Sequence, residues 1–580
     1  MKQFICTGCI IVCLVLYGTS PLAQSAATNK KNPFRISGTM GVSYEYYGLT
    51  VNPNGSNIYT PRRPWNQLRF LFKPTMKFGK DFILPVNFNF AAIPTNFAGP
   101  YSGIGSAGKQ NFKQWLMNPA NNFAINPTYK WVELQLGTQY LKYSDLTTGD
   151  IGMFGAGFNL RPKNWRIRFF TGISQQGVNF SALPLPGTPG AYQRNHWMFQ
   201  VGHEQEGKYS VALNFSKGKD RISSVTIPPT AAPQEGFAGS LVADLFFKKG
   251  WYVKSEAALS CFTRDLNMPL SPGWNNSFKP FIKGRTSTGK DWAATASFGK
   301  RSKNFDLGYS TKYIGTGFQT TGYPYLQPDR WENTINTRFN TWKNKMNVVA
   351  SAGYRINNLS NTTLTSKQFI GSLNWFTQFN DHFSTNLSYN NFGFTAASTS
   401  IYGIRNVSND LGLNATYSWS NTKRMNLISF NYNYSKYDER DITSGIVTTN
   451  NTHTLMLNYI PTYFNTAISP DVSILYFNNS MPGFKNSLIT LSGGIGSPVF
   501  KKKAQLRGQL QYTIGKVQAF TSNNNLVASM SMDYKLNKKL SWNIFLSTNY
   551  FKYGNELVVP ALIGANYLES VCRTGLLYKF

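Results

Sequence analysis

The chain ends Arg573-Thr-Gly-Leu-Leu-Tyr-Lys-Phe580. A polar residue is followed two places later by a glycine, and aromatic residues stand third from last and last. Successive side chains of a strand point to opposite faces. Alternation therefore puts Cys572, Thr574, Leu576, Tyr578 and Phe580 on one side, with Arg573, Gly575 and Lys579 on the other. A strand with one apolar and one polar face is what a wall between lipid and water requires.

The other end fits an exported chain. Met1-Lys2 is a short positive start, Phe4 to Tyr17 is an apolar run, and Ser20-Pro-Leu-Ala23 offers a small-residue cleavage site. This is a secretory signal peptide, too short to span a bilayer. Pro21 fits poorly three places before the cut, so cleavage after Ala27 is the alternative. Cys6, Cys9 and Cys13 lie before or within the apolar run, so no lipid anchor is expected. We assign residues 1–23 to the signal peptide, 24–34 to a short periplasmic segment and 35–580 to a single membrane domain. The terminal pattern then resembles the signal that the barrel assembly machinery reads on the last strand of outer-membrane proteins. Arg573, Gly575, Tyr578 and Phe580 carry it. The resemblance implies that machinery as a partner, and outer-membrane lipid and lipopolysaccharide as surroundings.

Composition agrees. Aromatic residues make up 15% of the chain and charged residues only 14%, with a mean hydropathy of −0.30. Soluble chains carry about 25% charge. Beyond the signal peptide no apolar run is long enough for a membrane helix. Only Cys261 and Cys572 remain after processing, too few for a disulfide framework, and we read them as free thiols with one bond between them as the alternative. The formal charge is +33, one less once Lys2 leaves. Nucleic acid is excluded as the reason, because the chain is exported and has no basic helix or nucleic-acid motif. Two readings remain: cations meeting anionic headgroups of the outer leaflet, or a basic lumen that admits anions.

Dyad alternation runs through the chain. Tyr209, Val211, Leu213 and Phe215 alternate with polar or small residues, as do Ile428, Phe430, Tyr432 and Tyr434, and Leu526, Ala528, Met530 and Met532. Short turn-forming stretches separate such segments, among them Gly79–Asp81, Asn126–Thr128, Arg161–Asn164, Lys248–Gly250, Pro461–Tyr463, Pro498–Lys502 and Asn537–Lys539. Longer stretches fall between them, at 92–120, 175–193, 217–235 and 264–289. Twelve short turns give an all-β fold: a large antiparallel transmembrane β-barrel of about 26 strands, within 22–28, with short periplasmic turns and long extracellular loops. Trp165, Trp251, Trp342, Trp419 and Trp542 all lie near proposed turns, as an aromatic girdle would.

One region also resembles a known family. Lys73-Pro-Thr-Met-Lys-Phe78, Asn126-Pro-Thr-Tyr-Lys-Trp131, Gly155-Ala-Gly-Phe158 with Leu160, and Asn164-Trp-Arg-Ile-Arg168 are similar to an uncharacterised outer-membrane barrel family of Bacteroidota-type bacteria. The resemblance covers about a fifth of the chain, from Asn66 to Gln175. It implies fold and location and transfers no functional residues.

Chemistry is sparse. The histidines are His196, His203, His382 and His453. A serine hydrolase site needs a base, its orienting group and a nucleophile together. Asn195-His196 has no serine that sequence alone singles out, and Asp381-His382 falls at a periplasmic turn. His203-Glu204 lacks a second ligand at metal spacing and reads as solvated. No catalytic, cofactor or metal residues are assigned. With the apolar face toward lipid, Arg69, Arg166, Arg168, Arg338, Arg355 and Arg507 point inward. A ring of guanidinium groups in a narrow pore favours anions. So wide a barrel needs filling, by loops or by a partner protein in the lumen. Loop 92–120, with its apolar Asn111–Met117, is the internal candidate. The leading function is a porin-like channel for small polar or anionic solutes. A scaffold or conduit of a secretion or surface-assembly complex is the alternative, and an outer-membrane lipid hydrolase the third.

Overall fold

A computed structural model describes residues 34–51, 62–92, 115–117, 121–149, 151–182, 189–272, 280–360, 365–397, 403–441, 444–518, 522–554 and 566–580. The signal peptide and residues 24–33 of the short periplasmic segment lie outside them, while Phe34, expected in that segment, opens the first strand. Each strand pairs antiparallel with its chain neighbours, and the first strand, Phe34–Val51, pairs with the last, Asn566–Lys579. The ring is closed. Of 27 hydrogen-bonded strands, Asn122–Ile125 and Thr128–Tyr129 both lie between Phe82–Ala92 and Val132–Leu141 and share one position. The wall therefore has 26 strands. No helix of the described residues is long and apolar enough to cross a membrane; the strands cross. Closure with an apolar outer face makes this an integral outer-membrane protein.

That shared position corrects one expectation. Asn126-Pro-Thr128 is not a turn but a break within a strand, because Pro127 has no N–H for the ladder. Opposite it Gly137 takes φ +88°, where a Cβ would lie 1.9 Å from the Phe123 carbonyl oxygen. The chain turns later, at Lys130-Trp131, with Lys130 at φ 51°. Pro461–Tyr463 likewise ends the strand Val447–Tyr463, and the turn follows at 464–468. Strand Phe484–Val499 runs into the expected Pro498–Lys502 turn, which begins at Phe500. Strand Tyr209–Arg221 likewise extends into the expected loop 217–235.

The twelve short turns lie at the end that carries both termini. Outward tryptophans and phenylalanines cluster there: Trp165, Trp251 and Trp342 are exposed, and Trp251 stacks on Phe298 at 5.2 Å. Ten of the turns carry lysine. Together they hold sixteen Lys and Arg residues, from Lys80 to Lys539, against Asp81, Glu206 and Asp381. A large part of the basic excess is thus neither in the lumen nor at the far headgroups but in a collar around one mouth. Cys261 and Cys572 are free.

Candidate functional site in the barrel lumen

The internal obstruction is made by two loops from the end opposite the termini. Residues 142–149 follow strand Val132–Leu141, and residues 315–329 follow strand Phe305–Ile314. They meet inside: Gly149 N–H donates to the Gly322 carbonyl at 3.0 Å, and the Thr320 hydroxyl to the Thr147 carbonyl at 2.9 Å. Leu146, Phe318 and Leu326 pack with Ala258, Ala293 and Ile314, with Tyr323 against them. Ala258 and Ala293 are direct neighbours across a strand pair. Their small side chains leave the depth that Phe318 fills. Burying Phe318 and Leu146 stabilises the arrangement by about 2 kcal/mol each. A second cluster joins Tyr143 to Leu141, Met153, Phe170 and Met198.

Polar wall residues hold the shorter loop. Glu256 accepts N–H bonds from Asp145 at 3.0 Å and Leu146 at 3.4 Å. The Thr148 hydroxyl accepts from both Tyr143 and Ser144 N–H at 2.9 Å. Gln200 donates to the Tyr143 carbonyl at 3.1 Å and accepts from Arg168 Nε at 2.6 Å. Burial pushes the Tyr143 hydroxyl up to about 12. Lys142 is raised by its hydrogen bond to Asp145.

The six expected lumen arginines share the wall face that carries Glu45 and Glu256, but form no ring. Arg166 lies 3.6 Å from Glu204, Arg355 2.6 Å from Glu332 and Arg507 3.1 Å from Asp471. Arg168 sits over the Tyr143 ring at 4.3 Å. Arg69 bonds Gln67 at 3.1 Å. Arg338 has no hydrogen bond or ion pair to a described residue. Between Phe383 and Lys552 the inward face is mostly amides and hydroxyls, such as Asn386, Asn414, Asn431 and Gln511. Among the described residues no loop packs on it.

Most of loop 92–120 lies outside the described residues. Of the expected inward stretch Asn111–Met117, only residues 115–117 are described, and Trp115 is not in the lumen. Its Trp115 stacks on Phe90 at 5.0 Å, on the outward face that also carries Phe70, because a lipid-side aromatic row offers it more apolar surface than the polar lumen. The inward loops 142–149 and 315–329 were not singled out from sequence. Their one signal is large apolar residues, Leu146 and Phe318, set among Gly, Ser and Thr.

The terminal pattern forms the seam. Arg573 bonds Glu45 of the first strand through Nε at 2.8 Å, and Glu45 also pairs with Arg63 at 3.3 Å. Beside them Glu569 accepts from the Tyr47 hydroxyl at 2.7 Å and from Arg62 at 3.1 Å. A Cβ on Gly575 would meet Asn543 Oδ1 at 2.7 Å and Ser43 Cβ at 3.1 Å. Tyr578 and Phe580 stack outward at 5.9 Å, and Phe580 exchanges backbone hydrogen bonds with Gly38 at 3.0 and 3.2 Å.

The structure also supplies the serine that sequence left open. His196 Nε2 lies 2.8 Å from the Ser216 hydroxyl. Both residues are 1% exposed, and His196 Nδ1 has no partner to orient the ring. His203 is not simply solvated: it meets the Trp165 ring edge at 4.9 Å and the Tyr209 hydroxyl at 2.9 Å. Among the described residues no group of three His, Cys, Asp or Glu is placed to hold a metal.

No family model matches the chain, and no characterised protein matches it in sequence. Among solved structures it is similar to the translocation pore of the P pilus usher PapC, at TM-score 0.36 and 9% identity over 92% of this chain and 99% of that one. It is also similar to the FrpB iron transporter of Neisseria meningitidis, F5-1 variant, at 0.35 and 11% over 86% and 88%. A third is OccAB4 of Acinetobacter baumannii, at 0.29 and 9% over 64% and 97%. At such scores and identities these likenesses carry no argument about cargo or partner.

Proposed function

We propose that the protein is a porin-like channel for small polar or anionic solutes, narrowed by its own loops. The supporting observation is the division of the lumen. Loops 142–149 and 315–329 obstruct one side, while the wall from Phe383 to Lys552 presents amides and hydroxyls with no described loop against it. Hydrated solutes pass along such a surface without shedding a strong charge partner. The lysine collar adds a positive potential at the mouth, which raises the local concentration of anions. Arginine pairing inside the wall argues that the collar, more than a guanidinium ring, sets any anion preference.

The test is single-channel conductance of the refolded protein in a planar bilayer under a salt gradient. Steady conductance with a reversal potential on the anion side is expected. A silent membrane with verified insertion overturns the reading. It then favours the second one, a scaffold or conduit whose lumen is filled by a partner protein, for which a ring of 26 strands gives room. We propose no catalysis, since His196 and Ser216 are sealed from lipid and water. The resemblance of Asn66–Gln175 supports membership of the Bacteroidota-type barrel family. The pattern Arg573, Gly575, Tyr578 and Phe580 supports recognition by the barrel assembly machinery.

A further inference from the structure

The inward loops enclose a second space. Between them and the wall lies a cavity of about 810 Å³. Its wall side has Gly152, Ser174, Gln175 and Arg194 on one part of the ring and two rows on three adjacent strands on another. Thr295, Lys312 and Glu332 form one row, and Ser297, Ser310 and Thr334 the next. Its loop side carries the rings of Tyr323 and Tyr325.

The charges around it do not cancel locally. Glu332 is taken by Arg355 at 2.6 Å and Arg330 at 3.2 Å. Lys142 pairs with Asp145 at 2.6 Å, and Arg194 with Asp220 at 2.7 Å. Lys312 stands directly opposite Glu332 in the register, yet it has no hydrogen bond or ion pair to any described residue. Glu332, Glu256 and Asp145 attract it only from beyond ion-pair distance. This half-buried ammonium is therefore incompletely compensated, and an anion that reaches it relieves that cost. The neighbouring hydroxyls donate and accept, which suits a ligand bearing hydroxyls of its own. Phenol rings give such a ligand's apolar ring face a surface to rest on. A cavity of this volume falls within the range of small-molecule sites.

We propose that this cavity binds a small hydroxylated solute with one anionic group, of the class of acidic monosaccharides, its anion held by Lys312. The inference rests on the channel reading for its purpose and names the kind of solute that pauses there. It is tested by calorimetry on the full-length barrel in detergent, where no conduction is needed. The probes are glucuronate, glucose and inorganic phosphate, and folding of each variant is checked by heat-modifiable electrophoretic migration. Glucuronate binding is expected, with glucose and phosphate each at least tenfold weaker. Lys312→Met should weaken glucuronate at least tenfold and leave glucose unchanged, while Lys312→Arg keeps glucuronate binding. The proposal is overturned if glucuronate does not bind, if either other probe binds equally well, or if Lys312→Met binds like the parent. Binding with this pattern in a silent barrel would sink the channel reading and leave the site. Conduction without binding would do the reverse.

Discussion

Glu256 holds the shorter inward loop by two backbone N–H groups, and neither has another acceptor among the described residues. Glu256→Ala should free residues 142–149, raise single-channel conductance and lower stability by about 1–3 kcal/mol; Glu256→Gln, which keeps one acceptor oxygen, should fall between. A conductance unchanged in Glu256→Ala would mean that the apolar cluster alone holds the loop. The same loop carries two groups whose protonated forms are favoured on folding, Tyr143 by burial and Lys142 by its bond to Asp145. Their unfolded values lie near 10 and 10.4. Because the folded values are higher, their contribution is complete below those figures and is lost as pH rises through the folded ones. Conductance recorded across pH 9 to 12 should therefore climb above about pH 10, and Tyr143→Phe should flatten the part due to the phenol. His196→Ala should leave phospholipid hydrolysis at background, as in the parent, and appear only as lower thermal stability, since it strips the Ser216 hydroxyl of its partner. Hydrolysis by the parent that the variant lacks would sink the non-catalytic reading.

The seam between the first and last strands depends on Glu45 and Arg573. Arg573→Glu should cost about 1 kcal/mol, read as a lower temperature at which the folded band is lost on electrophoresis. The swap Glu45→Arg with Arg573→Glu should recover only part of it, because Arg63 also pairs with Glu45 and the swap sets it against a like charge. Gly575→Ala already brings a Cβ to 3.1 Å from Ser43 Cβ and 2.7 Å from the movable end of Asn543, and Gly575→Val, whose two branches add bulk at the same place, is expected to cost more. Equal stability in both would show that the strand pair has slack. Strands were the legible elements. Period two gave Tyr209–Arg221 and Asn523–Lys535 their correct faces, and most turns announced themselves by Gly, Pro, Asn and Lys. Asn126-Pro127 misled because proline marks a turn and a strand break with the same letters. The inward loops were not legible, since their cores join residues such as Leu146 and Phe318 across 172 positions and no local period records that. Glu256 alternated correctly into the lumen, but its role lies in N–H groups 110 and 111 residues away.

Across the whole molecule, the loops and the collar make separable contributions. Replacing residues 143–148 by a short Gly-Ser linker should at least double conductance, with little change in reversal potential. Changing Lys501, Lys502 and Lys503 to glutamine should instead move the reversal potential toward cations at nearly constant conductance. If the two variants gave the same response, the division between obstruction and charge would be wrong. The hydrogen bonds between Phe580 and Gly38 have a further consequence. A sheet that curls into a ring leaves no strand edge only while its first and last strands are paired, here from Thr39 opposite Lys579 to Val51 opposite Tyr567. An open edge of backbone donors and acceptors is both costly in lipid and adhesive in water. A chain that lacks the strand Asn566–Lys579 keeps that edge. Ring closure thus removes a handle: once the two strands meet, the backbone groups that a chaperone or protease would pair with are already taken.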